Sequence, residues 1–415
     1  MDKNNINLTI HKLVNREFSK EMFESLLPSG FDRYVKKMNT YQFIQLLIFS
    51  QLKQSASLAR VSKSVKNRKD VQDYLNVDSI STSQLSRKLS NLPSFVLEQA
   101  LYKIIDKLMK HNVTAFIDEK VGRLKVIDSS TISMSLFGSH WARFRKTKAG
   151  VKLHVKICFM GSHVLPEQVI LTTAKKADKS QMSELIEYDE SCIYLFDRGY
   201  NDYTQFEQLC LQNVCFVTRL KKNAVIETYA EQICDSDTIY ADKEIFLGSE
   251  ITNTKMTHPL RLIQTVDSNG KQIFIVTNCF ELTANEVGEL YRQRWKIETF
   301  FKWMKQHLKL RTVYGKSENA VKNQIWIALI TYCLQLFLYQ KTNYTGSLLE
   351  FKRATIDLLF IVYEEFLAKL FYKPKRTSNG RRKLHWQQEF IHIEKLYING
   401  EEDILDDSYQ EPLHI

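Results

Sequence analysis

Glycine and proline are scarce in this sequence of 415 residues, at 13 and 6. Long flexible or proline-stiffened linkers are therefore not expected. The seven cysteines (Cys158, Cys192, Cys210, Cys215, Cys234, Cys279 and Cys333) are dispersed, odd in number and without a CxxC pair. That spacing argues against a disulfide framework or a zinc finger and reads as reduced thiols in a cytosolic protein. The most apolar stretch, residues 325–339, is shorter than the ~20 residues of a membrane span and contains Gln335, so a buried helix is the better reading. The opening residues MDKNNINLTIHKLVNREF lack an apolar signal core. Internal repeats and low-complexity tracts are also missing.

What is present is globular: 44% hydrophobic and 25% charged residues, long enough for two or three domains. Net charge is +11, a balance that suits a polyanionic partner without requiring one.

Residues 1–115 read as helical. MNTYQFIQLLIFSQLKQ and LPSFVLEQALYKIIDKLMKH place apolar side chains three and four apart. Between them, Ser81 or Thr82 is expected to cap a short helix with Gln84, Arg87 and Lys88 on its exposed side. Such a face either contacts DNA or is simply solvated. The pattern changes near residue 121. GRLKVIDSS reads as a strand ending in Asp128. Residues 151–159 and 163–173 read as an antiparallel pair, 178–188 as a helix, and CIYLFDRGY as a buried strand ending at Asp197. A helix (YTQFEQLCLQN) and a strand (214–220) follow, together an α/β layer. Residues 222–280 read as short strands with a turn at 268–270. Helices are expected at about 284–308, at ENAVKNQIWIALITYCLQLFLYQK and within 347–371. A basic loop (373–383) and an acidic segment (401–407) come last.

Aspartates at the carboxyl ends of strands often line the ligand crevice of an α/β sheet, although each also makes an ordinary cap for the next turn. The helix at 284–308 sharpens the choice. At about 100° per residue, Tyr291, Arg294, Glu298 and Lys305 fall in a stripe about 60° wide. Leu290, Ile297, Phe300, Phe301, Met304 and Leu308 gather on the far side, so the polar stripe is expected to point outward. A solvated face with an i,i+4 Arg294–Glu298 pair is the plain alternative. Joined to Asp128 and Asp197, however, Glu298 would complete a three-carboxylate set of hard oxygen ligands for two Mg²⁺ ions. Two such ions can activate an attacking oxygen and stabilise a leaving one in phosphoryl transfer.

Tyr291, Arg294, Glu298 and Lys305, spaced Y-x2-R-x3-E-x6-K, resemble the Y-R-E-K signature of bacterial insertion-sequence transposases of the DDE class. VIDSST (126–131) and LFDRGY (195–200) are similar to the family's first- and second-Asp segments. Residues 222–280, within the 101 positions from Asp197 to Glu298, match its β-rich insertion. The resemblance covers about residues 120–340. It implies an RNase H-like (retroviral-integrase-like) α/β core with a β-rich insertion, flanked by helical N- and C-terminal regions. The implied divisions are 1–118 for DNA binding, 119–221 with 281–345 for catalysis, 222–280 for the insertion and 346–415 for a helical end. By the same resemblance, Asp128, Asp197 and Glu298 bind two Mg²⁺ or Mn²⁺ ions and cut DNA at element ends before joining the freed 3′-hydroxyl to target DNA. Tyr291, Arg294 and Lys305 contact the element-end DNA. Implied partners are double-stranded DNA, as terminal repeats and target, and a second copy in a synaptic homodimer. Cytoplasmic location, at the nucleoid when bound to DNA, goes with this reading, and no membrane does.

Trp295 lies about 40° from Tyr291 on the helix and suits base stacking. Trp303 and Trp326 read as core. The family's base-holding Trp of the insertion has no counterpart in 222–280, whose aromatics include Tyr229, Tyr240, Phe246 and Phe274. The cations of 141–152 (Arg143, Arg145, Lys146, Lys148 and Lys152) are either a solvated loop or phosphate contacts. His154 shares a strand face with Lys152 and Lys156 and reads as structural more readily than catalytic. Two other functions fit the same residues: a catalytically silent DNA-binding protein derived from a transposase, and an RNase H-like nuclease that cuts without joining.

Overall fold

A computed structural model describes residues 8–15, 17–111, 122–160, 163–232, 239–251, 253–266, 272–308, 310 and 313–372. The turn at 268–270, the basic loop at 373–383, the acidic segment at 401–407 and Cys234 lie outside them.

The protein is mixed α/β. Nine strands form one sheet: β1 (Arg123–Ser135), β2 (Lys148–Met160), β3 (His163–Thr173), β4 (Cys192–Phe196), β5 (Cys215–Arg219), β6 (Ile226–Gln232), β7 (Ile239–Leu247), β8 (Leu260–Val266) and β9 (Gln272–Thr277). Their order is β3-β2-β1-β4-β5-β9-β8-β7-β6. β1, β2 and β3 are antiparallel neighbours, and β4 and β5 run parallel to β1. β9 joins β5 antiparallel through Val217, Thr218 and Arg219. The strand-rich stretch after residue 222 thus continues the same sheet. It includes β6, whose exposed, polar alternation gave no apolar signal.

β1 differs from the strand expected to end in Asp128. It runs on to Ser135, because β2 keeps pairing with it after β4 has stopped at Phe196. β4 does end where expected, and Asp197 caps the following 3-10 turn. The stretch expected as a helix at 178–188 is only a 3-10 turn (Asp178–Gln181) and one helical turn (Met182–Leu185).

The helices begin where the sequence supplies caps. Asn39 with Gln42, Ser81 with Gln84, Thr283 with Glu286 and Ser347 with Glu350 each form a reciprocal capping box. This changes the reading of Gln84, whose amide oxygen is held by Ser81 instead of facing a groove. Arg87 remains exposed. The apolar run forms one helix, Glu318–Lys341, buried on nearly every side. Its most apolar window is long enough to cross a membrane, yet 94% of it is buried inside the protein. The helices Thr40–Leu52, Thr82–Asn91 and Ser94–His111 pack on it, and β3 meets it as well. Two short helices, Leu348–Asp357 and Tyr363–Leu370, replace the single one expected in 347–371.

The stretch 284–308 is not one continuous helix. Helix Ala284–Gln293 and helix Trp295–His307 meet at Arg294. There the backbone tightens: Arg294 N–H donates to Tyr291 O, and Ile297 N–H donates to Arg294 O. A short stretch of three-residue bonding inside a helix often marks a functional hinge or local strain.

Candidate active site

The parallel register sets the first two carboxylates side by side. Ile127 pairs with Phe196, so Asp128 and Asp197 follow at the same level, one strand spacing of about 4.8 Å apart in backbone. Glu298 comes from the first turn of the Trp295–His307 helix, which docks through buried Ile297, Phe300, Phe301 and Met304. Phe300 and Trp303 both meet Tyr332 of the central helix edge-on, at 5.2 and 4.9 Å. Trp326 is core, as expected.

Arg294 links these elements. Its Nη1 lies 3.4 Å from Asp128 Oδ2, its Nη2 donates to Glu298 Oε1, and its guanidinium sits 5.8 Å from the centre of the Tyr291 ring. The stripe is therefore turned inward, contrary to the outward face expected from the helical wheel. Arg294 and Glu298 side chains are only 16% and 20% exposed, and Tyr291 is packed against the core. The apolar stripe alone set which side docks. It carried no information about how far the sheet edge overhangs the polar side.

Burial pushes Asp128 up to about 7, with Asp197 and Glu298 adding to the rise against the opposing pull of Arg294 and the Ser129 N–H. Burial works against the charge on Arg294, yet Tyr291, Glu298, Asp128 and Asp197 hold it protonated well above its ordinary range. Tyr291 is raised by burial, opposed by Arg294 and supported by Asp197. Asp128, Asp197, Glu298, Arg294 and Tyr291 thus share one electrostatic neighbourhood. Among the described residues, no three His, Cys, Asp or Glu side chains converge as a finished metal cage. Instead a guanidinium lies between two of the carboxylates.

Lys305 lies in the last turn of the same helix and Trp295 in its first, where Trp295 is 46% exposed. Beside Asp197, a cleft of about 440 Å³ is lined by Arg198, Gly199, Lys221, Lys222 and Asn223. Arg143, Arg145, Lys146 and Lys148 are exposed, whereas Lys152 turns inward to Asp178. His154 is fully buried: Nε2 meets Thr172 Oγ1 at 2.9 Å and burial lowers its pKa to about 4, which makes it a neutral structural residue. Asp178 and Tyr200 also reach this region, as their influence with Asp128 and Asp197 on one another shows. Sequence reading missed both, since neither belongs to a periodic pattern, although Tyr200 stands in the LFDRGY segment.

A family model described as the transposase DDE domain matches residues 119–334. The protein belongs to the DDE transposase family. It is 29% identical over 330 residues to a probable transposase for insertion sequence element IS5377 of Geobacillus stearothermophilus, covering 78% of this chain and 80% of that one. It is 30% identical over 242 residues to the putative transposase y4zB of Sinorhizobium fredii, covering 57% and 67%. Among solved structures it resembles the piggyBac transposase synaptic complex with hairpin DNA, with TM-score 0.44 and 12% identity over 90% of this chain and 84% of that one. The match to the family model spans every strand and the residues from Asp128 to Lys305, so the candidate site lies within the matched region.

Proposed function

We propose that this DNA transposase cuts at the ends of a mobile element and joins the freed 3′ ends to target DNA, with Asp128, Asp197 and Glu298 as the metal-binding catalytic carboxylates. The observation that carries the reading is the convergence of two adjacent strands, at Asp128 within β1 and Asp197 just past β4, and one helical turn on Arg294, with Asp128 pushed up to about 7. Three carboxylates set against one guanidinium leave an excess of negative charge, and the donors are hard oxygens of the kind Mg²⁺ and Mn²⁺ prefer. A pair of such ions supplies activation of the attacking oxygen and stabilisation of the leaving oxygen. The protein's own groups bind and orient the DNA. Arg294 presents a planar fork for a phosphate once it leaves the carboxylates. Tyr291 fixes that guanidinium, Lys305 meets the backbone further along, and Trp295 offers an exposed face for stacking. Arg198, Lys221 and Lys222 beside Asp197 suit the flanking phosphates.

The strand order β3-β2-β1-β4-β5 supports an RNase H-like core, with β6 to β9 as the insertion. The helices before β1 would serve DNA binding, with Arg87 still exposed for it. Exposed Tyr229 and Tyr240 on the inserted strands are candidates for holding a flipped base. A homodimer pairing two DNA ends in the cytoplasm completes the reading.

The test is a Mg²⁺-dependent cleavage assay on the element's own terminal repeats. Glu298→Gln is expected to abolish cutting and spare DNA binding. Cutting that survives Glu298→Gln would overturn the assignment. A wild-type protein that binds but never cuts would favour a silent DNA-binding descendant. A pre-cut end with a free 3′-hydroxyl yields a joined product with a transposase and none with a simple nuclease.

A further inference from the structure

A fourth carboxylate stands behind the first of the three. Asp178 heads the 3-10 turn after β3. Its Oδ1 accepts from Ser129 Oγ at 2.6 Å and from Lys152 Nζ at 3.0 Å, with His154 Nδ1 at 3.6 Å. Ser129 follows Asp128, and its backbone N–H donates to Asp128 Oδ1 at 2.7 Å. Cross-strand pairing puts Ser129 opposite His154 and Thr131 opposite Lys152 on one face of β1 and β2, while Asp128 points to the other face toward Arg294. Asp178 therefore grips the strand from the reverse side, one residue from Asp128. Its other oxygen faces Gly199, where an added Cβ would lie 3.6 Å from Asp178 Oδ2 and 4.0 Å from Asp197 Oδ2. Gly199 is thus the space between two carboxylates. Close by, the Tyr200 hydroxyl is buried without a completed hydrogen bond.

The geometry points to Asp178 as a positioning residue for Asp128. The relay runs from the Lys152 ammonium to the Asp178 carboxylate, to the Ser129 hydroxyl, and from the Ser129 N–H to Asp128 Oδ1. The Lys152 ammonium pairs with the Asp178 carboxylate and holds it in place against Ser129. Asp178 fixes Ser129, and the fixed N–H sets which way the Asp128 carboxylate turns. Groups that orient a ligating carboxylate typically change metal affinity about 10–100-fold when removed. This inference rests on Asp128 binding a metal ion as proposed above.

The test measures Mn²⁺ binding to the full-length protein by calorimetry, with thermal stability in parallel. Asp178→Ala and Ser129→Ala are each expected to weaken Mn²⁺ binding about 10–100-fold. The double variant should be no worse than the worse single one, because both break the same relay. Ser129→Thr keeps the hydroxyl and should restore binding. A purely structural role would lower stability and leave Mn²⁺ affinity unchanged, which would overturn the relay. Additive losses would overturn it too, by making Asp178 an independent arm of the site. If Asp178→Ala does not fold, Ser129→Ala against Ser129→Thr decides alone: equal affinities sink the proposal. Wild-type protein whose Mn²⁺ binding is absent, or is untouched by Asp128→Asn, would instead refute the underlying metal assignment. The two failures are thus distinguishable.

Discussion

Arg294 satisfies Asp128, Glu298 and the face of Tyr291 at once. Removing one partner from a mostly buried ion pair is costly because the remaining charge stays desolvated, by about 3–5 kcal/mol. Arg294→Met should therefore destabilise the metal-free protein strongly in urea denaturation. Mn²⁺ should recover part of that loss, since a cation can take the place of the guanidinium. Equal losses with and without Mn²⁺ would speak against Asp128 and Glu298 sharing a metal. Lys352 gives a pH-dependent case. It is buried, it donates to His307 O at the end of the helix that carries Glu298, and burial lowers it to about 8. Its folded value lies below the ordinary one, so the folded state sheds this proton first. The cost of holding the charge is complete below pH 8 and is relieved as pH rises toward the unfolded value, about 10.4. Lys352→Met should thus stabilise the protein at pH 7.5, and its advantage should shrink at pH 10. A constant difference between the two denaturation curves would rule this out.

Elements place the residues. The helix Ala284–Gln293 begins at a Thr283 cap that accepts from Glu286 N–H, and Glu286 returns a bond to Thr283 N–H. Just upstream, Arg261 of β8 binds Asp242 of β7, both buried, and donates to Leu282 O. The inserted strands are in this way tied to the start of the segment that leads to Arg294. Thr283→Ala should cost about 1 kcal/mol of stability, the usual loss on removing a cap. It should also lower cleavage more than an equal loss imposed by Ser347→Ala, whose cap lies on the Leu348–Asp357 helix. Matching activities for the two variants would separate this helix start from the site.

At the scale of the whole molecule, the Glu318–Lys341 helix joins the helical part to the sheet. Asn323 donates to Leu89 O and Leu92 O, and Tyr332 donates to Val164 O. Gln335 on the same helix is fully buried, and both its amide atoms lack a hydrogen-bond partner among the described residues. An unsatisfied buried polar group costs about 1–3 kcal/mol. Gln335→Met, similar in length and without the amide, should raise the unfolding midpoint while leaving cleavage unchanged. A lower midpoint would mean that the amide is satisfied in solution.

Local pattern determined much by itself. A long apolar run marked the central helix residue for residue, and the buried run of β4 marked Asp197. The spacing of Tyr291, Arg294, Glu298 and Lys305 singled out the candidate stripe and the family, because side chains on one helix are related by a fixed rotation. Only the tertiary structure decided the rest. The register of β1 on β4 set Asp128 beside Asp197, which no local signal encodes, since the two are paired by hydrogen bonds between distant segments. The continuation of β1 past Asp128 depended on β2, and the inward turn of the Arg294 side chain goes with carboxylates from β1 and from the helix itself. Asp178 stayed invisible for the same reason: its meaning lies in Ser129 and Lys152, 49 and 26 positions away, and only folding brings them within a hydrogen bond.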